Sequence, residues 1–355
     1  MRQFRRLLFV AAFAMHSGVA YADQVSDFYK GKTVFLQIGS VPGGVYDIVG
    51  RMVARHIAPH IPGGPKVVPQ NVPGGGSLLL ANQFGAITPR DGTVLGVFNN
   101  GMPTTPLLDP GAARFDPRKF NFIGSTSREA HILVVWNSAP VKTFEELFQK
   151  EVILGATSPG AAPFDFPILT NALAGTKFKI VTGYPGGPET QLAMRRGEIH
   201  GNGGLALGSY KTDYQDAVTH NDIKILGAFG MRQHPELKDV PLFPIGRSQE
   251  DRQLFELMYA RQDYGRPFVM PEGVPKDRVD AMRAAFENTM KDKYFLTEAQ
   301  RANADIDPVG WQEMTELTAR LYATSQDTIN RMRSIVNAGS RRSVLTKYWL
   351  SAVPT

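Results

Sequence analysis

The chain has no cysteine among its 355 residues. That absence excludes disulfide staples, thiolate zinc sites, iron–sulfur ligation, a cysteine nucleophile and a lipid-modified cysteine anchor. Long apolar runs are missing as well. Leu7–Met15 is far shorter than the roughly 20 residues that span a bilayer, and no later stretch is long and apolar enough to do so. No G-x-x-x-x-G-K-[ST] loop occurs and no G-x-G-x-x-G follows a strand, which removes the usual nucleotide cradles. No G-x-S-x-G elbow is present, and the 7 His form no pairing that points to a serine hydrolase. Charge of one sign is scarce: Lys+Arg 39 against Asp+Glu 33 gives a formal +6.

Half of that excess sits in one place. Arg2, Arg5 and Arg6 precede the short apolar run, and Ala20-Tyr21-Ala22 follows it. A basic start, a short apolar core and a small-x-small site make a secretory signal peptide, with cleavage expected after Ala22. Losing three arginines lowers the formal charge from +6 to +3. With no cluster of basic residues beyond Arg341-Arg342, nucleic acid is not expected as a partner. At 43% hydrophobic and 20% charged, the rest reads as an ordinary globular protein, long enough for roughly two domains.

What is abundant is glycine (35) and proline (25), and their placement is ordered. Thr33–Ile38 reads as a strand, then Gly39–Gly44 as a turn, then Val45 to Ile57 as an amphipathic helix ended by Pro59 and Pro62. Lys66–Pro69, the Asn71–Ser77 loop and a helix over Leu78–Ile87 repeat the pattern, and a third strand, Thr93–Phe98, ends at Asn99-Asn100-Gly101. A second unit begins near Phe122–Ser127. It has strands at Ile132–Val135, Val152–Ala156 and Phe178–Val181, helices over Thr143–Gln149, Phe166–Ala174 and Glu189–Arg196, and a turn at Ile199–Gly204. Ile223–Ala228 returns as a strand, and helices follow over Lys276–Lys291 and Gly310–Arg331. Repeated strand–turn–helix units imply two α/β lobes with mostly parallel sheets flanked by helices. The expected division is 23–125 plus 230–355 for lobe 1 and 126–229 for lobe 2. Two crossings, near 124–127 and 227–231, make a hinge between them.

In such sheets the loops beyond the carboxyl ends of the strands form the ligand crevice. Glycine in these loops serves turn chemistry, and it also lets backbone N–H groups approach an anion at a helix start. Several such loops at one end of the strands favour an anion-binding cleft. Asp47, early in the first helix, complements the helix dipole and can order the loop before it. His56 and His60 have metal-chelating i, i+4 spacing, but Pro59 interrupts the helix and no further ligand is near in sequence. Tyr184, in a Gly/Pro loop, suits a cleft wall. Arg128 has the fork to clamp a carboxylate, although a solvated surface arginine is the more ordinary reading.

Several segments, in order, resemble the substrate-binding proteins of tripartite tricarboxylate transporters, the Bug family. They are Phe28–Lys32, Pro42-Gly43-Gly44 with Asp47, Asn71–Gly76, Pro89-Arg90-Asp91-Gly92, Lys142–Leu147, Tyr184–Gly187 with Arg196–Ile199, and His234–Pro241. The resemblance covers essentially the whole chain after residue 22. It implies a two-lobed, type II-like Venus-flytrap fold of the periplasmic type and a non-catalytic receptor without a cofactor or metal. The receptor would capture a small organic carboxylate, a dicarboxylate or an aromatic acid, and deliver it as a monomer to integral-membrane permease subunits. Presentation of the ligand to a membrane sensor kinase, or a secreted enzyme using the same cleft, are the alternatives. By position, the resemblance implies Ser40, Pro42, Gly43, Gly44 and Asp47 as the first wall, Asn71, Gly75, Gly76 and Ser77 near the second, and Asn99 and Asn100 at the third. Thr157, Ser158, Pro159, Ala161 and Tyr184, with Asn202 and Gly203, would complete the site from the second lobe. Two departures stand out. Val45 and Tyr46 replace smaller residues and make the first wall bulkier. The run His200–Gly204 lacks the family's usual acidic residues, so the second lobe is expected to offer no carboxylate and to suit a ligand whose distal part is neutral or anionic.

Overall fold

The computed structural model describes residues 24–246 and 248–350; the expected signal peptide lies outside them. In β1 (Thr33–Ile38), Val34, Leu36 and Ile38 are fully buried while the residues between them are half-buried, the period-2 pattern of a strand with one face on the core. β1 pairs in parallel with β2 (Lys66–Asn71) and with β3 (Val94–Val97). Beyond β3 the first sheet continues with β10 (Pro267–Met270), β4 (Asn121–Ser125) and β11 (Val309–Gly310), giving the order β11-β4-β10-β3-β1-β2. β10 runs antiparallel to both of its neighbours.

The second sheet has the order β7-β6-β8-β5-β9, from β5 (His131–Trp136), β6 (Val152–Ala156), β7 (Phe178–Thr182), β8 (Gly201–Ala206) and β9 (Ile223–Phe229). β6 is parallel to β7 and β8, and β5 is antiparallel to β8 and β9. Both sheets are therefore mixed. Their parallel parts come from strand–helix–strand units, and their antiparallel parts come from segments next to the crossings between sheets.

Three sequence expectations change. Phe122–Ser125 belongs to the first sheet, so the crossing begins only after Ser125. The expected turn at Ile199–Gly204 is mostly the strand β8, in the middle of the second sheet. Its glycines hid it, and they are there for close packing. A Cβ on Gly201 would lie 2.2 Å from the Val134 carbonyl oxygen, and one on Gly203 would lie 2.8 Å from both Leu154 and Pro167. The long helix expected over 310–331 is two helices, Trp311–Tyr322 and Gln326–Leu350.

The chain leaves the first sheet at Ser125 and returns after β9 through Gly265. The two passages are locked side by side. Ser125 Oγ accepts from the Arg266 amide at 2.8 Å, and Gly265 adopts φ +52° with its Cα so close to the Ser127 carbonyl that a Cβ would sit 1.5 Å from that oxygen. Only glycine fits there. A further passage exists. Helix Trp311–Tyr322 packs on β4, whereas Gln326–Leu350 packs on β7 and on helix Ala162–Leu173 of the second lobe. Gln249–Tyr259 also rests on Ala162–Leu173, so residues 230–355, expected in the first lobe, contribute two helices to the second. Among the described residues no helix is long and apolar enough to cross a membrane.

Candidate functional site

The helices Val45–Ile57, Leu78–Ala86, Ala162–Leu173 and Gly187–Arg195, two from each lobe, all begin on one cleft of ≈ 520 Å³ between the lobes. Their N-cap residues are Gly44, Ser77, Ala161 and Gly186, and none of the four helices has a side-chain cap. Three of the four have no side chain that could cap. Ser77 has one, but it is occupied elsewhere: its Oγ donates to the Gly39 carbonyl and accepts from the Asn99 amide, both at 2.9 Å, joining the ends of β1 and β3. Each helix start thus directs the partial positive charge of its dipole at the cleft, although some first-turn N–H groups already serve the loops: Leu78 and Leu79 donate to the Gly75 and Gly74 carbonyls and Phe164 to the Ala161 carbonyl.

The loops expected from sequence converge here. Ser40, Gly44, Gly75, Gly76, Ser77, Asn99 and Asn100 line the cleft from the first lobe, and Thr157, Ser158, Ala161, Tyr184 and Asn202 line it from the second. Burial pushes the Tyr184 hydroxyl above its usual range, so it stays a neutral hydrogen-bonding group at neutral pH. Ser158 Oγ and Asn202 Oδ1 are buried in this wall with no hydrogen-bond partner.

Other expected site residues lie off the cleft lining. Pro42, Gly43 and Pro159 are exposed. Gly203 faces the second-lobe core, where Leu154 and Pro167 crowd it. Asp47 and Asn71 stand behind the first loop and hold it. Asp47 accepts from the Gly43 amide at 2.9 Å and from Arg51 Nε at 2.8 Å, while Asn71 Nδ2 donates to Asp47 at 2.8 Å and to the Ser40 carbonyl at 3.0 Å. Those bonds keep the Asp47 carboxyl below its usual range against the opposing effect of burial. Arg128 spends both arms of its fork on Glu313, at 2.7 and 2.8 Å. His56 and His60 pair with Glu298 and Asp292 respectively. Among the described residues no group of His, Cys, Asp or Glu is arranged to hold a metal ion.

The sequence reading missed the charged part of the cleft. Glu129, His131 and Asp213 line it, although Glu129 and His131 come from the hinge passage and Asp213 from the end of a short helix, Leu207–Thr212. Glu129 is buried; Arg266 NH2 lies 2.9 Å from it and Asn100 Nδ2 donates to it at 2.9 Å. Burial pushes the Glu129 carboxyl up while Arg266 opposes that shift. Burial and the nearby Arg261 and Arg266 press His131 down to about 3, so its imidazole is neutral. Asp213 has no ion pair among the described residues. Thr212 Oγ1 donates to it at 3.0 Å, and the Val45 amide faces it from the other lobe. The expectation that the second lobe offers no carboxylate is therefore corrected. No spacing signal marked Asp213, because its place depends on the Leu207–Thr212 helix folding back over the cleft.

Burial raises the Asp213 carboxyl from 3.8 to about 6. The folded protein then holds this proton to a higher pH than the unfolded chain does. The stability linked to it is complete below about pH 4 and is lost as pH rises through 6. Asp213→Asn has no proton to lose. Relative to wild type, its urea midpoint should rise progressively between pH 4 and pH 6 and hold steady above that. The pH-dependent part should be about 2 kcal/mol. A gap that does not change with pH would contradict the assignment.

Two mixed sheets joined by a hinge, with helix starts from both lobes on the cleft between them, define a two-lobed periplasmic-binding-protein fold. Solved structures of Bug and TctC type share it. The R. palustris protein Rpa4515 with adipate superimposes with a TM-score of 0.66 at 18% identity, over 87% of this chain and 97% of that one. The periplasmic binding protein BugD gives 0.64 at 17%, over 88% and 98%. MatC from Rhodopseudomonas palustris, with bound malate, gives 0.64 at 17%, over 86% and 99%. At these identities the likeness establishes the fold. No protein-family model and no curated protein matches the sequence.

Proposed function

We propose that this protein is a periplasmic, non-catalytic solute-binding receptor of the Bug type. It closes its lobes over a small organic carboxylate and delivers that ligand to a tripartite tricarboxylate-type permease. One observation carries the reading: four uncapped helix starts, two from each lobe, meet on a cleft whose lining contains no Lys or Arg. A carboxylate there is neutralised by backbone N–H groups and helix dipoles. Both lobes contribute, so binding favours the closed form that a membrane partner can sense. Adipate and malate in the similar structures agree with this ligand class. The basic, apolar and small-residue pattern of residues 1–22 supports export to the periplasm.

A thermal-shift series on residues 23–355 with mono-, di- and tricarboxylates and aromatic acids tests it. A carboxylate at about 100 Kd should add roughly 2.7 kcal/mol of stability and be recovered unchanged after incubation. A shift caused only by neutral compounds would remove the carboxylate assignment. Turnover of the bound ligand would replace the receptor by an enzyme.

A further inference from the structure

The two ends of the cleft differ in hydrogen-bonding character. The loops at the helix starts offer N–H donors. The face made by β8 and the Leu207–Thr212 helix offers acceptors. There the Asp213 carboxylate accepts from Thr212 Oγ1 and the Val45 amide faces it, with Arg266 and Glu129 acting on it from farther away. A Cβ on Gly187 would lie 2.8 Å from Asp213 Oδ2, so this carboxylate sits against the start of helix Gly187–Arg195. Asn202, 3% exposed, places its Oδ1 in the same wall without a partner, while its Nδ2 points to the Tyr214 hydroxyl at 3.5 Å. The other acid of the cleft, Glu129, is answered by Arg266, and His131 is neutral. Asp213 is thus the carboxylate in the lining that makes no ion pair among the described residues; Arg266, which is paired with Glu129, acts on it only from a distance.

We propose that Asp213 is a specificity-determining residue: with Asn202 it selects a carboxylate ligand whose second polar group donates hydrogen bonds, a hydroxyl or an ammonium, and it rejects a second ionised carboxylate. This rests on the carboxylate reading of the cleft. A second ionised carboxylate brought beside Asp213 meets a like charge, and such juxtaposition is strongly unfavourable. A donor there satisfies two acceptors at once.

Calorimetric titration with a length-matched set, hexanoate, adipate, 6-hydroxyhexanoate and 6-aminohexanoate, tests it at pH 8. Wild type should bind the hydroxy or amino acid at least roughly tenfold more tightly than adipate. Asp213→Asn should remove that preference by strengthening adipate while leaving hexanoate within about twofold. Asp213→Ser, a smaller replacement, should behave in the same direction and guards against a local packing effect of the amide. If adipate binds wild type as tightly as the donors, or if both variants keep the wild-type ratio, the assignment to Asp213 fails while the carboxylate reading stands. If no member of the set binds, both fail together. If 6-aminohexanamide binds as well as 6-aminohexanoate, the carboxylate reading fails and Asp213 remains the recognition group.

Discussion

Ala161→Asp should leave the empty protein folded and abolish carboxylate binding. Ala161 is the N-cap of helix Ala162–Leu173, in extended backbone at φ −91°, ψ 145°, the geometry that a capping aspartate prefers. The Asp side chain would share the Phe164 amide, which now donates to the Ala161 carbonyl at 3.0 Å. A cap of this kind is worth at most about 1 kcal/mol, set against the cost of a carboxylate at a position only 3% exposed. The same carboxylate would occupy the cleft wall, cancel the partial charge of that helix start and repel an anionic ligand. Affinity should fall by roughly a hundredfold or more. Melting curves with and without ligand give both numbers from one variant. Affinity within about threefold of wild type would show that the ligand does not use this helix.

Arg261→Met should cost about 3–5 kcal/mol of folding stability, the usual result of leaving a buried charge without its partner. Arg261 and Asp165 are both fully buried, and Arg261 NH2 donates to Asp165 Oδ2 at 2.7 Å. Arg261 NH1 also donates to the Gly160 carbonyl at 3.0 Å, and the Gly160 amide donates to Asp165 Oδ1 at 3.1 Å. The pair therefore anchors the Thr157–Ala161 loop to the segment returning from the second lobe. The double change Arg261→Met with Asp165→Leu should recover most of the lost stability, because the uncompensated charge disappears with its partner. Binding should stay weak in the double variant, since the loop loses its anchor. Urea unfolding of both singles and the double supplies the cycle, and a single-variant loss below about 1 kcal/mol would refute the buried-pair account.

Much of this architecture is legible in the sequence because its strand–turn–helix units are local. The apolar alternation in Thr33–Ile38 and the helical spacing from Val45 to Ile57 each need no information from elsewhere in the chain. Strand β8 was not legible. Its Gly201, Gly203 and Gly204 carry no strand propensity and are explained only by the backbones and side chains pressed against them. The cleft divides in the same way. Loops rich in Gly, Ser and Asn announced themselves as turns beyond strand ends. Asp47 and Asn71 belong to those loops in sequence but act behind them, a distinction that needs three dimensions. Glu129, His131 and Asp213 enter the cleft through the hinge and a short helix, long-range placements with no local signature. Arg266, which opposes the effect of burial on Glu129, lies 137 positions away from it in the chain.

The helix Gln326–Leu350 closes the second lobe from the far end of the sequence. Its Gly339 lies so near helix Ala162–Leu173 that an added Cβ would be 2.4 Å from Ile168 Cδ1. The order of events during synthesis follows from that contact. When the strands of the second sheet have all been made, Ala162–Leu173 still lacks both of its covering helices: Gln249–Tyr259 comes first and Gln326–Leu350 much later. The early chain is thus a half-finished body with an open greasy seam, a form that chaperones can hold and proteases can cut. Synthesis of Gln326–Leu350 then seals the lobe.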